Sequence, residues 1–297
     1  METEERNRRA RNLHKKDTGE VLRIINEEDK KVATAVQETL PEIEEAVDLF
    51  VDSFRNGGRV FYVGAGTSGR LGIIDASEIP PTFGVPEGKV IGLIAGGRKA
   101  ITSAREGRED ERSAGERIVE ERSIEKKDLI IGISASGRTP FVLGCLEAGG
   151  NKGVPTVGIT NNRNAAMEKV SKVTIVAETG PEVIAGSTRM KAGTAQKMIL
   201  NMISTASMVR LGKVYDNLMV DVVASNEKLR SRARKIVKIV TGEKEEKVDE
   251  ALENANFEVK PAILSLLGNL SEDEAREYLE KTNGHLDAAL AEVRGNK

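Results

Sequence analysis

The spacing of apolar positions changes character twice along the chain. Between residues 18 and 56 it is helical. Leu40, Ile43, Val47, Phe50 or Val51, and Phe54 recur three or four apart, Pro41 suits a first helical turn, and Gly57-Gly58 ends the run. Short apolar runs then alternate with helical ones. Val60–Val63, Val90–Ile94, Leu129–Ile133, Thr156–Ile159 and Val173–Val176 read as five strands. They are nearly continuous in apolar residues, as strands covered on both faces should be. The segments between them are long enough for crossover helices. This predicts an α/β fold, a doubly wound five-stranded parallel sheet flanked by helices, over roughly residues 45–215. Residues 193–211 form a long apolar helix in which Met198, Met202 and Met208 serve core or dimer-interface packing. After Asn226 basic residues alternate with small ones, and the acidic run at 243–250 reads as a solvated helix face. Ser271 opens a capping box and Asn283-Gly284 a turn, so 243–297 reads as a small module of three helices. The expected divisions are an arm and helix over 1–44, the α/β domain over 45–225 and a C-terminal helical region over 226–297.

Composition narrows the function. With 45 Lys and Arg against 47 Asp and Glu, the net charge of −2 argues against a dedicated nucleic-acid partner. A single cysteine, Cys145, leaves no intrachain disulfide and no multi-cysteine metal site. His14 and His285 lie far apart, His285 in a turn-like surface setting, so a histidine-rich metal centre is not expected and no metal is assigned. No apolar window approaches the ~20 residues of a membrane span. The first residues carry six basic side chains and no apolar core, which is no secretory signal and reads as a loosely ordered arm or, more sharply, as an arm that reaches a partner subunit. A cytoplasmic protein without a membrane partner fits these features.

Two loops carry the candidate chemistry. The first strand runs into Gly64-Ala65-Gly66-Thr67-Ser68-Gly69-Arg70, literally a dinucleotide fingerprint. The ribose-binding acid that should end the second strand is absent, since that strand ends in Ile94-Ala95-Gly96-Gly97. Hydroxyls inside the loop suit a terminal phosphate better. The third strand ends in Ser134-Ala135-Ser136-Gly137-Arg138-Thr139, with Pro140 opening a helix. Hydroxyls, a glycine and a helix N-terminus make a second anion cradle that needs no lysine. In a flavodoxin-like strand order, 2-1-3-4-5, strands 1 and 3 are neighbours and both loops open into one crevice.

At these loops the sequence resembles the sugar isomerase (SIS) domain, a phosphosugar-binding fold, and within that superfamily the N-acetylmuramic acid 6-phosphate etherases. The matching segments are GAGTSGRLG (64–72), DASEIPPTFG (75–84), IAGG (94–97), EGRED (106–110), ISASGRTP (133–140), GPEVIAGSTRMKAGTAQKMILNMIST (180–205) and GKVYDNLMVDV (212–222), with RIINEEDKKV (23–32) toward the N-terminus. The resemblance implies a homodimer with its site near the subunit interface and no metal or other cofactor. It implies a small phosphosugar ligand and cleavage of its D-lactyl ether, giving N-acetylglucosamine 6-phosphate and D-lactate. The glucokinase regulatory protein shares this architecture without the reaction, and an aldose–ketose isomerase would need only part of it.

The chemistry needs an open-chain sugar, whose C1 aldehyde acidifies the proton on C2. A base removes that proton, lactate leaves from C3, and water adds back. By resemblance Glu78 protonates the departing lactate oxygen and Glu106 acts as base on C2 or on water. Gly66, Thr67, Ser68, Ser134, Ser136, Gly137 and Thr139 are the implied phosphosugar-binding residues of the two loops; by the resemblance Ser68, Ser134, Ser136 and Thr139 would hold the phosphate, and Ser187 and Thr188 would contact the sugar. Arg189 and Lys191 could add charge or form structural salt bridges. Asp75 and Asp110 read as helix-cap groups. Arg105 and Arg108 flank Glu106 and could hold it ionised or pair with it.

Overall fold

The computed structural model describes residues 1–224 and 226–295. Ser225, where the α/β domain is expected to end, and Asn296 and Lys297 lie outside the described residues. The chain divides into two compact units, residues 1–77 with 88–204, and residues 78–87 with 205–297.

In chain order, α1 (Thr18–Gln37), α2 (Leu40–Arg55), β1 (Val60–Gly64), α3 (Gly66–Phe83), β2 (Val90–Ile94) and α4 (Arg112–Glu121) come first. They are followed by β3 (Leu129–Ile133), α5 (Pro140–Asn151), β4 (Thr156–Thr160), β5 (Val173–Val176) and α6 (Lys191–Arg210). The sheet of the first unit has the order β2-β1-β3-β4-β5, every pair parallel. The expected strands and the flavodoxin-like order are both present. Burial follows position. The three inner strands are buried at every residue, whereas the edge strands β2 and β5 are covered only in part. Phe61, Val63, Ile130, Phe141, Val142 and Leu146 form the core on one face. There α4 and α5 touch backbone to backbone. A Cβ on Gly115 would lie 1.9 Å from the Phe141 carbonyl oxygen, and one on Gly144 2.3 Å from that of Arg112.

Residues 1–17 are not the loose arm that their charge suggests. They run through short 3-10 turns into a capping box, Asp17 with Glu20, that opens α1. Thr3 is fully buried, its Oγ1 accepting from Asn162 Nδ2 at 3.0 Å and its carbonyl from Gly186 N at 3.2 Å. Asn7 Nδ2 donates to Glu28 Oε2 at 2.8 Å and to the Pro181 carbonyl at 3.0 Å. Glu28 in turn meets Lys191 Nζ at 2.7 Å, with side chains only 2% and 1% exposed. Lys191 is therefore structural, the salt-bridge alternative of the sequence reading, while Arg189 stays exposed. The buried Glu182 carboxylate accepts from Lys191 N at 3.1 Å and Ala192 N at 2.9 Å, satisfying the start of α6.

The second unit pairs β6 (Val214–Tyr215) with β7 (Leu218–Met219) and continues through α7 (Glu227–Thr241), α8 (Glu245–Asn254), α9 (Val259–Gly268), α10 (Glu272–Lys281) and α11 (Leu286–Gly295). Four helices thus follow residue 243 where three were expected. The extra one is α9, which is buried almost all round and so shows no polar face to read. Its Lys260 is buried too, and Nζ meets Asp221 Oδ2 at 2.7 Å. Val237, Leu252, Ile263, Leu264, Leu279 and Leu290 form the core. The Ser271 capping box is present, and Gly284 takes φ +78 in the turn before α11. His285 is half-buried against Gly212 instead of lying on the surface.

Burial raises the Glu28 carboxyl pKa, but hydrogen bonds from Lys191, Lys31 and Asn7 outweigh it and hold the value at about 2. A depressed carboxylate contributes stability above its unfolded value, and that contribution is lost as pH falls from 4.5 through about 2. Lys191→Met removes one partner and leaves a buried charge, a loss of about 3–5 kcal/mol. Urea titrations should show that loss at pH 7 and a much smaller one near pH 3. Equal losses at both would place the effect in packing instead.

Candidate active site

At the end of β1 the chain turns through Ala65 into α3, whose first N–H groups have no partner further back along the helix. At the end of β3 the second loop folds back on itself, Gly137 N donating to the Ser134 carbonyl at 3.0 Å. Gly137 takes φ +61, and a Cβ there would lie 2.5 Å from Ala165 Cβ and 2.7 Å from Thr160 Oγ1. Only glycine makes this turn without moving β4. Ser134 Oγ lies 2.7 Å from Thr139 Oγ1 and 3.2 Å from Ser136 Oγ, which accepts from Arg138 N at 3.2 Å. Pro140 then starts α5.

Both loops line one cleft of about 360 Å³. Gly66, Thr67, Ser68, Ser134, Ser136 and Thr139 stand on its walls, and Glu106 and Thr188 join them. Gly137 shapes the second loop from behind and Ser187 lies outside the lining. Glu78 is not a lining residue either. It is exposed on α3, twelve residues or about 18 Å of helix beyond Gly66.

Three lining side chains escaped the sequence reading. Glu4 arrives on the N-terminal arm, packing against Gly186. Arg70 Nε and an Nη donate to the carbonyls of Ile101 and Ala100, each at 2.9 Å, clipping the segment that leads to Glu106 onto α3. Glu109 is half-buried, and its carbonyl accepts from Phe141 N at 3.0 Å in the first turn of α5. That bond ties Glu109 to the helix whose N-terminus faces the second loop. Glu106 is exposed and has no such tether. The flanking cations do not converge on it, since Arg108 pairs with Glu111. The EGRED segment was the available signal for Glu109, which lies three residues on.

Other candidates resolve differently. Asp75 is no cap. It is buried within α3, and its Oδ1 accepts from Asn201 Nδ2 at 2.6 Å and Ser204 Oγ at 3.2 Å. Burial raises its pKa despite hydrogen bonds from Asn201, Tyr62 and Ser204. Burial likewise pushes the Tyr62 hydroxyl well above its ordinary range, with the Asp75 charge adding to it. Asp110 is exposed in the turn before α4 and caps nothing, because Glu111 takes the N-cap position. The Cys145 thiol is buried and pushed up to about 12, which removes it as a nucleophile. Among the described residues no cluster of three metal-ligating side chains occurs, and no helix is long and apolar enough to cross a membrane.

Comparison with known proteins agrees with this geometry. The glucokinase regulatory protein N-terminal SIS domain pattern matches residues 42–149, and the SIS domain pattern matches residues 114–206. The N-acetylmuramic acid 6-phosphate etherase 1 of Bacillus licheniformis is 50% identical over 98% of this chain and 96% of its own length. The etherase of Caldanaerobacter subterraneus is 50% identical over 97% and 94%, and that of Clostridium botulinum 49% identical over 98% and 96%. At that identity over nearly the full length, the chain belongs to the N-acetylmuramic acid 6-phosphate etherase family.

Proposed function

We propose that this enzyme is a carbon–oxygen lyase. It cleaves the D-lactyl ether of N-acetylmuramic acid 6-phosphate to N-acetylglucosamine 6-phosphate and D-lactate, in amino-sugar catabolism and cell-wall recycling. The observation that carries the reading is one cleft in which two hydroxyl-rich loops meet the carboxylates of Glu106 and Glu109, with Glu4 as a third on the lining. The lone buried thiol fits a reducing compartment, the cytoplasm.

The phosphate rests on Ser134, Ser136 and Thr139 and on N–H groups at the starts of α3 and α5, where helix dipoles favour negative charge. Arg70 and Arg105 add positive potential from the cleft wall. With the phosphate fixed, the reacting carbons face the carboxylates. A carboxylate takes the C2 proton, the C3–O bond breaks with its electron pair leaving on lactate, and an acid protonates that oxygen. Water then adds to C3 of the unsaturated aldehyde and a proton returns to C2. Glu109 is the better-held base because its backbone is anchored to α5. Glu106 stands beside it for the water step. Glu78, by resemblance the acid, is absent from the lining of one copy's cleft. The dimer implied by the resemblance offers a second Glu78, and in this reading that residue of the second copy completes the working site.

D-Lactate should be released from N-acetylmuramic acid 6-phosphate without added cofactor. Glu109→Gln should cut release and C2–H exchange in deuterated water together, by about 10²–10⁴-fold. Glu78→Gln should keep the exchange and lose the lactate, and full release from it would sink the acid role. Tight phosphosugar binding with no release from the wild type would favour a non-catalytic regulator.

Subunit mixing tests the shared site. Equal amounts of Glu78→Gln and Glu109→Gln chains should regain roughly a quarter of wild-type activity, because half the dimers are mixed and each holds one intact site. No recovery in a mixture shown to exchange subunits would put both residues in one chain's site. Gly137→Ala should weaken phosphosugar binding by at least 1 kcal/mol, roughly, through strain at φ +61, measurable by calorimetry.

A further inference from the structure

Ser68 differs from the other hydroxyls of the cleft in what its hydrogen can do. It is buried, and its Oγ lies 2.8 Å from Oε1 of Gln196 on α6. Gln196, 1% exposed, places Nε2 3.0 Å from Asn161 Oδ1. Asn161 is fully buried, and its Nδ2 donates to the Ala177 carbonyl at 2.9 Å. The chain ends on that carbonyl, which can only accept. Asn161 must therefore turn its N–H₂ to Ala177 and its oxygen to Gln196. Gln196 must answer with its N–H₂, which leaves its oxygen toward Ser68. The Ser68 hydroxyl is then obliged to donate inward.

The second loop carries no such commitment. Ser134, Ser136 and Thr139 bond to one another, and Ser136 already accepts from Arg138 N. No fixed acceptor at the end of that network orders its hydrogens, so these hydroxyls can rotate to donate to an anion. Ser68 cannot without breaking a buried chain and orphaning the buried amide oxygen of Gln196.

We infer that Gln196, ordered by Asn161, is a positioning residue that makes Ser68 a hydrogen-bond acceptor toward the ligand. Ser68 therefore recognises a donor group of the sugar, a hydroxyl or the acetamido N–H, and not the phosphate. A phosphate dianion offers only acceptors, so it would meet Ser68 lone pair against lone pair. The same relay joins the two loops, because Asn161 N donates to the Ala135 carbonyl at 3.1 Å. Among the side-chain hydroxyls the division of labour is phosphate on the second loop and sugar on Ser68 of the first, while the N–H groups at the start of α3 stay available to the anion. It replaces the expectation that Ser68 holds the phosphate.

The inference rests on the etherase reading only for the identity of the sugar. Binding of inorganic phosphate and of N-acetylglucosamine 6-phosphate is measured by calorimetric titration on the full chain. Ser136→Ala should weaken both ligands, each by about tenfold. Ser68→Ala and Gln196→Met should weaken the sugar phosphate about tenfold and leave inorganic phosphate within about twofold. The Ser68→Ala, Gln196→Met double variant should bind the sugar phosphate no more weakly than Ser68→Ala alone, because Gln196 acts through Ser68. A merely structural role for Gln196 would weaken both ligands in parallel. Loss of inorganic phosphate binding in Ser68→Ala, equal to its loss of sugar phosphate, overturns the assignment. Ser68→Ala decides this even if the buried Gln196→Met variant fails to fold. Absence of D-lactate release by the wild type would sink the etherase reading and leave the phosphate-against-sugar comparison standing.

Discussion

Parallel pairing of β1 with β3 sets Gly64 opposite Ile133, and the two loops leave the sheet from these adjacent ends. A crossover connection carries the chain out through β2 at the edge and back beside β1. That detour creates the switch point at which a ligand can enter between neighbouring strands. The N-termini of α3 and α5 then both face the cleft, and with them the peptide dipoles that stabilise an anion. A strand order that parted β1 from β3 would separate the loops and divide the cleft they line. The close contact of α4 with α5 at Gly115 and Gly144 fixes the second of these helices from behind.

The proposed phosphate cradle is itself uncharged. It consists of hydroxyls and backbone N–H groups, while of the arginines at the cleft wall Arg70 is occupied by the carbonyls of Ala100 and Ile101. A cation seated at the phosphate would also attract Glu106 and Glu109 and compete for the carboxylates that the proposed elimination needs free. Dipoles hold an anion without offering the carboxylates a point charge to pair with.

Much of the fold was legible because its signals are local. A strand buried on both faces writes itself as a run of apolar residues, and the loops that follow β1 and β3 carry their glycines and hydroxyls consecutively. The residues of the two loops fell into one cleft for the same reason. What escaped was long-range pairing. Nothing near Lys191 announces Glu28, nor does anything near Thr3 announce Asn162, since the partners lie far apart in the chain. Charge therefore suggested a loose arm where pairing made an anchored one. Asp75 looked like a cap because short polar residues often are caps. Its true partners, Asn201 and Ser204, lie on another helix. Glu109 was not singled out beside Glu106 because its distinguishing feature is a backbone hydrogen bond to Phe141, which side-chain identity does not encode.

The anchored arm has a consequence for how the chain is made. Its residues leave the ribosome well before their partners, so Thr3 waits for Asn162, and Asn7 for the carbonyl of Pro181. At the ordinary pace of synthesis that interval is roughly 10–30 s. Through it Glu28 remains a solvated carboxylate and the start of the chain an unattached, highly charged ribbon. Closure of the arm is thus a late event in biogenesis, and it carries Glu4 to the cleft only after both phosphate loops have been synthesised.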